Sequence, residues 1–236
     1  MPNKEIKLKR SYVAVAPEGQ ADSFGGNQSW FDDGARKAYA IKSSGCGLIG
    51  ASDIILYLES SLSDKKVLNV DDYKTRVREL EKSMFHVLPN LGIGGPLLAL
   101  YMTIYFSRHK KELGLADKKL RARWFVMPGK LLRKIKEMLQ NDIPVILAVG
   151  PGYFHKDKVN LYRRDVAPDG TATYTRANGA KDHYITVTGI LQEPEGIYLE
   201  VSSWGKKYYM SWAEYKAYVK KCDNYYFSNI VYIKKK

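Results

Sequence analysis

Residues 128–149 read PGKLLRKIKEMLQNDIPVILAV, and the fold class turns on how this stretch divides. Over 128–140, Leu131, Leu132, Ile135, Met138 and Leu139 recur at helical spacing with lysines opposite, the pattern of an amphipathic helix. After Asp142 the texture changes. Residues 143–149 (IPVILAV) are a short apolar run of the length a buried strand takes. Asp142 therefore marks the point where helix gives way to sheet.

The same division holds on either side. Upstream, residues 46–61 carry Leu48, Ile49, Ile54, Ile55, Leu56 and Leu58 and predict a buried helix. Residues 71–88 predict a second, capped by Asp71 or Asp72, with His86 inside it, and 94–108 a third, mostly apolar one. Residues 5–16 (EIKLKRSYVAVA) alternate and read as a strand, followed by glycine-rich loop chemistry over 17–34. Downstream, 158–164, 171–176, 184–191, 197–203 and 225–233 read as strands, with a short helix over 212–219. Helices first and an antiparallel sheet second is an α+β arrangement. With no repeat and no long linker, the 236 residues are expected to form one two-lobed unit: a helical lobe at about 35–141, and a sheet lobe at about 142–236 joined by the N-terminal strand.

Hydrophobic residues at 45% and charged residues at 27% exclude disordered and collagen-like classes. The formal net charge is +13. Its lysines and arginines are dispersed over 4–10, 118–123, 130–136, 206–207, 216–221 and 234–236, with no zinc-finger or RRM signature, so no specific nucleic-acid partner is expected. Two cysteines, neither in a CxxC, make no disulfide framework or zinc motif. The four histidines are scattered without HExxH spacing, and Leu91 to Pro96 (LGIGGP) lacks the lysine and preceding strand of a phosphate loop. No metal or cofactor is expected. Residues 1–10 have no apolar leader core, and the longest apolar stretch, near 96–106, is far short of the ~20 residues of a membrane span, so a cytoplasmic chain without a membrane span is expected.

Cys46 lies in Ser44-Gly45-Cys46-Gly47, directly before the first helix-like run. A thiol at a helix start meets unpaired backbone N–H groups and the positive end of the dipole, which favour thiolate. A buried structural cysteine would fit the same place. A nucleophilic thiolate also needs a base. His86, His109 and His155 sit in apolar, basic and loop settings, whereas His183 opens the alternating run His183-Tyr184-Ile185-Thr186-Val187-Thr188-Gly189. If 183–191 and 196–204 pair as a hairpin across Gln192-Glu193-Pro194-Glu195, the residue opposite His183 falls within 202–204. Ser202 or Ser203 then orients the imidazole, Glu200 is a second choice, and Trp204 shields the hydrogen bond.

Gly45-Cys46-Gly47 before a helix, His183 opening a TVTG strand, and Ser202-Ser203-Trp204-Gly205 in an Asn-Ser-Trp-Gly-like slot resemble papain-fold cysteine peptidases. Within that fold the chain is most similar to the bacterial C39-like group, over roughly 26–61 and 143–210. The resemblance implies a papain-like α+β fold and a Cys-His hydrolase that cleaves peptide or protein substrates through an acyl-enzyme. It implies Cys46 as nucleophile and His183 as base. The family's orienting Asn or Asp falls at Ser202, a departure, because a hydroxyl positions imidazole without stabilising imidazolium as a carboxylate does. The family's oxyanion-hole glutamine is missing at its usual spacing, where Ala40 stands, and Gln28 is the nearest upstream. A catalytically weak binding protein on this scaffold and a thiol acyltransferase are the alternatives.

Overall fold

The structure, a computed structural model, describes residues 4–60, 67–111, 113, 119–152 and 155–235. Ser61, Lys118 and Lys236, which figure in the expectations above, lie outside the described residues. In chain order the elements are β1 (Lys4–Lys7), β2 (Val15–Ala16), α1 (Arg36–Ser44), α2 (Cys46–Glu59), β3 (Leu68–Asn69), α3 (Val70–Ser83), α4 (Gly95–Arg108), β4 (Leu120–Trp124), α5 (Leu131–Gln140), β5 (Val145–Val149), β6 (Val159–Val166), β7 (Ala172–Ala180), β8 (His183–Glu193), β9 (Gly196–Ser203), β10 (Lys206–Ser211), α6 (Trp212–Cys222) and β11 (Ile230–Lys235). The protein is α+β, with six helices and a large antiparallel sheet among the described residues.

The helix-to-strand division at Asp142 is observed. α5 buries Leu131, Ile135, Met138 and Leu139, and β5 is buried throughout. Asp142 itself adopts a left-handed φ of 61° and ties distant segments together. Its carboxylate accepts from Tyr57 at 2.5 Å, the Lys9 backbone N–H at 2.7 Å and Arg10 Nε at 3.1 Å. Those bonds explain why the strand expected over 5–16 is broken. β1 pairs with β8, Lys9 and Arg10 then turn to Asp142, and β2 pairs separately and in parallel with β3.

The sheet runs β4-β11-β5-β8-β9-β10-β6-β7, with β1 also on β8. β5 pairs with β8 from His183 to Val187, and β1 takes over from Gly189 to Gln192. β9 covers the other edge of β8, with a register shift between Val187 and Gly189. β8 is therefore a central strand, buried from Ile185 to Leu191. α2 lies across β8 and β5, flanked by α3 and α4. A Cβ at Gly47 would meet the Tyr184 ring at 3.2 Å, and one at Gly50 would meet Thr186 Oγ1 at 3.3 Å. Small residues on that face let the helix sit close to the strand that begins with His183.

Four expectations are corrected at the element level. α3 ends at Ser83, so His86 lies beyond it and is exposed. The α3 cap is Asn69, whose Oδ1 accepts from the Asp72 N–H at 2.7 Å, and neither Asp71 nor Asp72 serves. β11 starts at Ile230, because the Asn224 side chain accepts from the N–H groups of Tyr226 and Phe227 and holds a turn there. β4, read within a basic run of the helical lobe, is a strand of the sheet: Leu120 and Ala122 are buried while Arg121 and Arg123 are exposed.

Candidate active site

Cys46 occupies the first position of α2 because α1 and α2 are separated by one residue. The Gly45 N–H closes α1 on the Ile41 carbonyl at 2.8 Å, and the Gly45 carbonyl accepts from Ile49 at 2.9 Å. A Cβ at Gly45 would stand 2.4 Å from the Ile41 carbonyl oxygen, so only glycine fits this corner. His183 is the first residue of β8, paired with Val149 at the end of β5. Cys46 and His183 line one cavity of about 560 Å³, walled by Ile93, Trp124, Tyr184 and Phe227 among others. Behind it, both residues also line a water-sized space of about 20 Å³.

The imidazole is held by the end of the β9–β10 hairpin. Ser203 Oγ lies 2.8 Å from His183 Nε2, and the Trp204 indole stacks on the imidazole with centroids 4.4 Å apart and planes 13° apart. Ser203 pairs with Lys206, so Trp204-Gly205 is a two-residue turn. Both turn residues have positive φ, 49° and 70°, as a type I′ turn requires. A tryptophan at such a position is strained. Here the strain places the indole over the imidazole.

The serine bonded to the imidazole is therefore Ser203, and the expectation that Ser202 makes this contact is corrected. Successive side chains of a strand diverge, so the two serines cannot share one task. Ser202 Oγ instead donates to the Phe24 carbonyl at 2.6 Å and holds the loop that leads to Gln28. Glu200 does not reach the imidazole either. It accepts from Thr188 at 3.0 Å and pairs with Lys7 and Lys207.

Gln28 begins the 3-10 turn Gln28–Trp30 and lines the same cavities as Cys46. One amide hydrogen is committed to the Lys42 carbonyl at 2.9 Å, which leaves the second.

Asp53 is a part of the site that the sequence reading leaves unassigned. It lies two turns after Cys46 on α2 and is 1% exposed. Its carboxylate accepts from the Gly26 N–H at 3.0 and 3.1 Å, from Tyr73 at 2.7 Å and from Tyr12 at 3.3 Å. It thereby fixes the Gly25-Gly26 loop against α2 and, through it, Gln28. Burial pushes its pKa up to about 6 against the pull of these hydrogen bonds. The available signal was a lone carboxylate in an apolar helix, seven residues from the cysteine.

The electrostatics of the pair differ from the thiolate expected at a helix start. Burial raises the Cys46 thiol above its ordinary value, and the nearby Asp182 carboxylate adds to the rise. Backbone groups of Tyr184, Gly47 and Cys46 pull the other way without reversing it. Burial lowers His183 to about 4. At neutral pH the resting pair is thiol and neutral imidazole.

Away from this cleft, His155, Asp157 and Cys222 each bring one ligand atom within 4.8 Å of the others, although no metal cluster was expected. Lys221 Nζ lies 2.7 Å from the Asp157 carboxylate, and the Cys222 thiol donates to it at 3.4 Å. A cation there would have to displace that lysine. No helix among the described residues is long and apolar enough to cross a membrane.

No protein-family model and no curated protein matches this chain. The functional reading therefore rests on the chemistry of the cleft.

Proposed function

We propose that this protein is a cysteine peptidase-like hydrolase of papain-like arrangement, with Cys46 as nucleophile, His183 as base and Ser203 as the residue that positions the base. The observation that carries the proposal is the imidazole bonded through Nε2 to Ser203 and roofed by Trp204, in a cleft it shares with a cysteine that opens a helix. With Nε2–H donating to Ser203 Oγ, Nδ1 is the nitrogen available to take a proton.

The reaction follows from those roles. Cys46 Sγ attacks the substrate carbonyl carbon while its proton passes to His183. The carbonyl oxygen, now an oxyanion, accepts from the Cys46 backbone N–H and the second amide hydrogen of Gln28. The imidazolium gives its proton to the amine nitrogen as the C–N bond breaks, leaving a thioester. Water, deprotonated by the same imidazole, attacks the thioester carbonyl; the C–S bond breaks, the carboxylic acid leaves, and the imidazolium returns the proton to the sulfur.

Iodoacetamide labelling and hydrolysis of a casein-type substrate test this reading. Cys46→Ala should abolish both the labelling at this site and the hydrolysis. The labelling rate of the wild type should keep climbing past the pH at which an ordinary thiol levels off, because a raised thiol ionises late. Equal labelling of wild type and Cys46→Ala would remove the nucleophile.

The uncharged resting pair and the serine in place of a carboxylate or amide favour one second reading, a binding protein on the same scaffold. Labelling at Cys46 without turnover of any peptide would select it.

A further inference from the structure

Part of the basic excess is gathered beside the cleft. β4 is an end strand of the sheet, and Arg121 and Arg123 point outward from it. Between β4 and α4 runs a groove of about 620 Å³ lined by Ser107, Lys110, Lys119, Arg121 and Arg123 among others. Its lining holds four cations and no carboxylate among the described residues. None of the four cations forms an ion pair among the described residues. Unpaired like charges facing one groove make a positive potential that an anionic ligand relieves.

The groove adjoins the candidate catalytic cleft. Pro96 and Trp124 line both. A chain seated in the cleft with an apolar residue against Ile93, Trp124 or Phe227 would run on into the cationic groove. Recognition there falls to side chains. The sheet edge at Ala122 is already covered, because Thr103 Oγ1 accepts from the Ala122 N–H at 3.0 Å and lies 3.1 Å from its carbonyl oxygen, its hydrogen being shared with the Ala99 carbonyl at 2.8 Å. Strand addition at that position is blocked.

We propose that the α4–β4 groove is an acidic-peptide subsite of the cleft. Its ligand carries several Asp or Glu residues on one side of an apolar residue, and Arg121, Arg123, Lys110 and Lys119 receive them. The proposal rests on the peptidase reading for the cleft and goes beyond it in naming the substrate class. A peptide fits better than a nucleic acid. Binding of single strands uses exposed aromatic rings as stacking platforms. Trp124 is the one aromatic ring in the groove lining among the described residues, and its ring is packed on Gly95, where a Cβ would stand 2.4 Å from it.

The test uses the Cys46→Ala variant of the 236-residue chain and fluorescein-labelled dodecapeptides with an apolar centre, carrying either glutamates or glutamines at both ends. At low salt the glutamate peptide should bind about tenfold more tightly by anisotropy, an advantage that shrinks as salt is added. Adding Arg121→Gln and Arg123→Gln should erase the advantage and leave the glutamine peptide unchanged. Adding Lys216→Gln and Lys220→Gln on α6, which removes the same charge elsewhere, should preserve it. Equal binding of the two peptides would overturn the proposal, as would an equal loss in the α6 variant. So would an oligothymidylate of the same charge that binds more tightly through the same arginines. Separately, wild-type protein that shows the binding preference and cleaves neither peptide would remove the peptidase reading alone. Cleavage of both without preference would remove the subsite alone.

Discussion

Ser203 and Ser202 differ by one position and have different tasks. Ser203 holds Nε2 of His183 at 2.8 Å, while Ser202 is committed to the Phe24 carbonyl at 2.6 Å. Loss of a neutral hydrogen bond of this kind costs about 0.5–1.5 kcal/mol, which is roughly two- to tenfold in rate if it acts in the transition state. On the proposed peptidase reading, Ser203→Ala should therefore lower kcat/KM by about three- to tenfold, and Ser203→Thr should recover most of it. Peptide-cleavage kinetics on both serine variants decide the matter, and a larger loss from Ser202→Ala would refute the assignment. Cys46, His183 and Trp204 were legible because each sits in a short pattern with a chemical reason. The choice between the serines was not, because it depends on strand register and on which way adjacent side chains point. The role of Asp53 was not legible for another reason. Its partners, Gly26, Tyr12 and Tyr73, come from three separate stretches of chain.

The α1–α2 corner and the β9–β10 turn position the Cys46 thiol and the His183 imidazole. Gly45 has an ordinary φ of −85°, so its requirement is steric rather than conformational. Gly45→Ala would drive a methyl group into the backbone oxygen of Ile41, which no rotamer change can relieve. Such overpacking costs typically ~1–3 kcal/mol. Urea unfolding should show that loss, and Cys46 labelling should slow as α2 shifts relative to His183. An unchanged midpoint together with unchanged labelling would show that the corner is looser than its contacts imply. Among the elements, α2, α4, α5, β5, β8 and β9 were legible from apolar periodicity. β4 and β10 were not assigned. β4 lies in a run of basic residues that reads first as a solvated face, although its alternation of Leu120 and Ala122 with Arg121 and Arg123 was the signal. The strand over 5–16 failed because Asp142, more than 130 residues away, captures Lys9 and Arg10.

For the whole molecule, two titrating groups, the buried Asp53 and the partly buried His183, oppose each other. An unfolded imidazole protonates near 6.5, whereas native His183 protonates only at about 4. Between those values the unfolded chain binds the extra proton, so this group adds stability as pH rises from 4 to 6.5, by up to ~3 kcal/mol. Asp53 acts in reverse. Its native pKa of about 6 exceeds the unfolded value of about 3.9, so it withdraws up to ~3 kcal/mol as pH rises from 4 to 6. Urea unfolding across pH 4–7 should show wild type gaining on His183→Gln and losing on Asp53→Asn as pH rises. Curves that stay parallel would mean that neither group is buried as described.

The local patterns of the chain were enough for the α+β class, the break at Asp142, and the nomination of Cys46 and His183. Such features depend on the period of apolar residues and the chemistry of a few neighbours, both of which are local. Long-range packing decided the rest: the choice of Ser203, the bracing by Asp53, the neutral resting state of the pair, and the collection of four cations of a +13 chain in one groove beside the cleft. Register, burial and the convergence of distant residues are properties of the folded arrangement. Burial in particular reversed the expected effect of the helix start on Cys46, because desolvation of a thiolate outweighs a few backbone N–H groups.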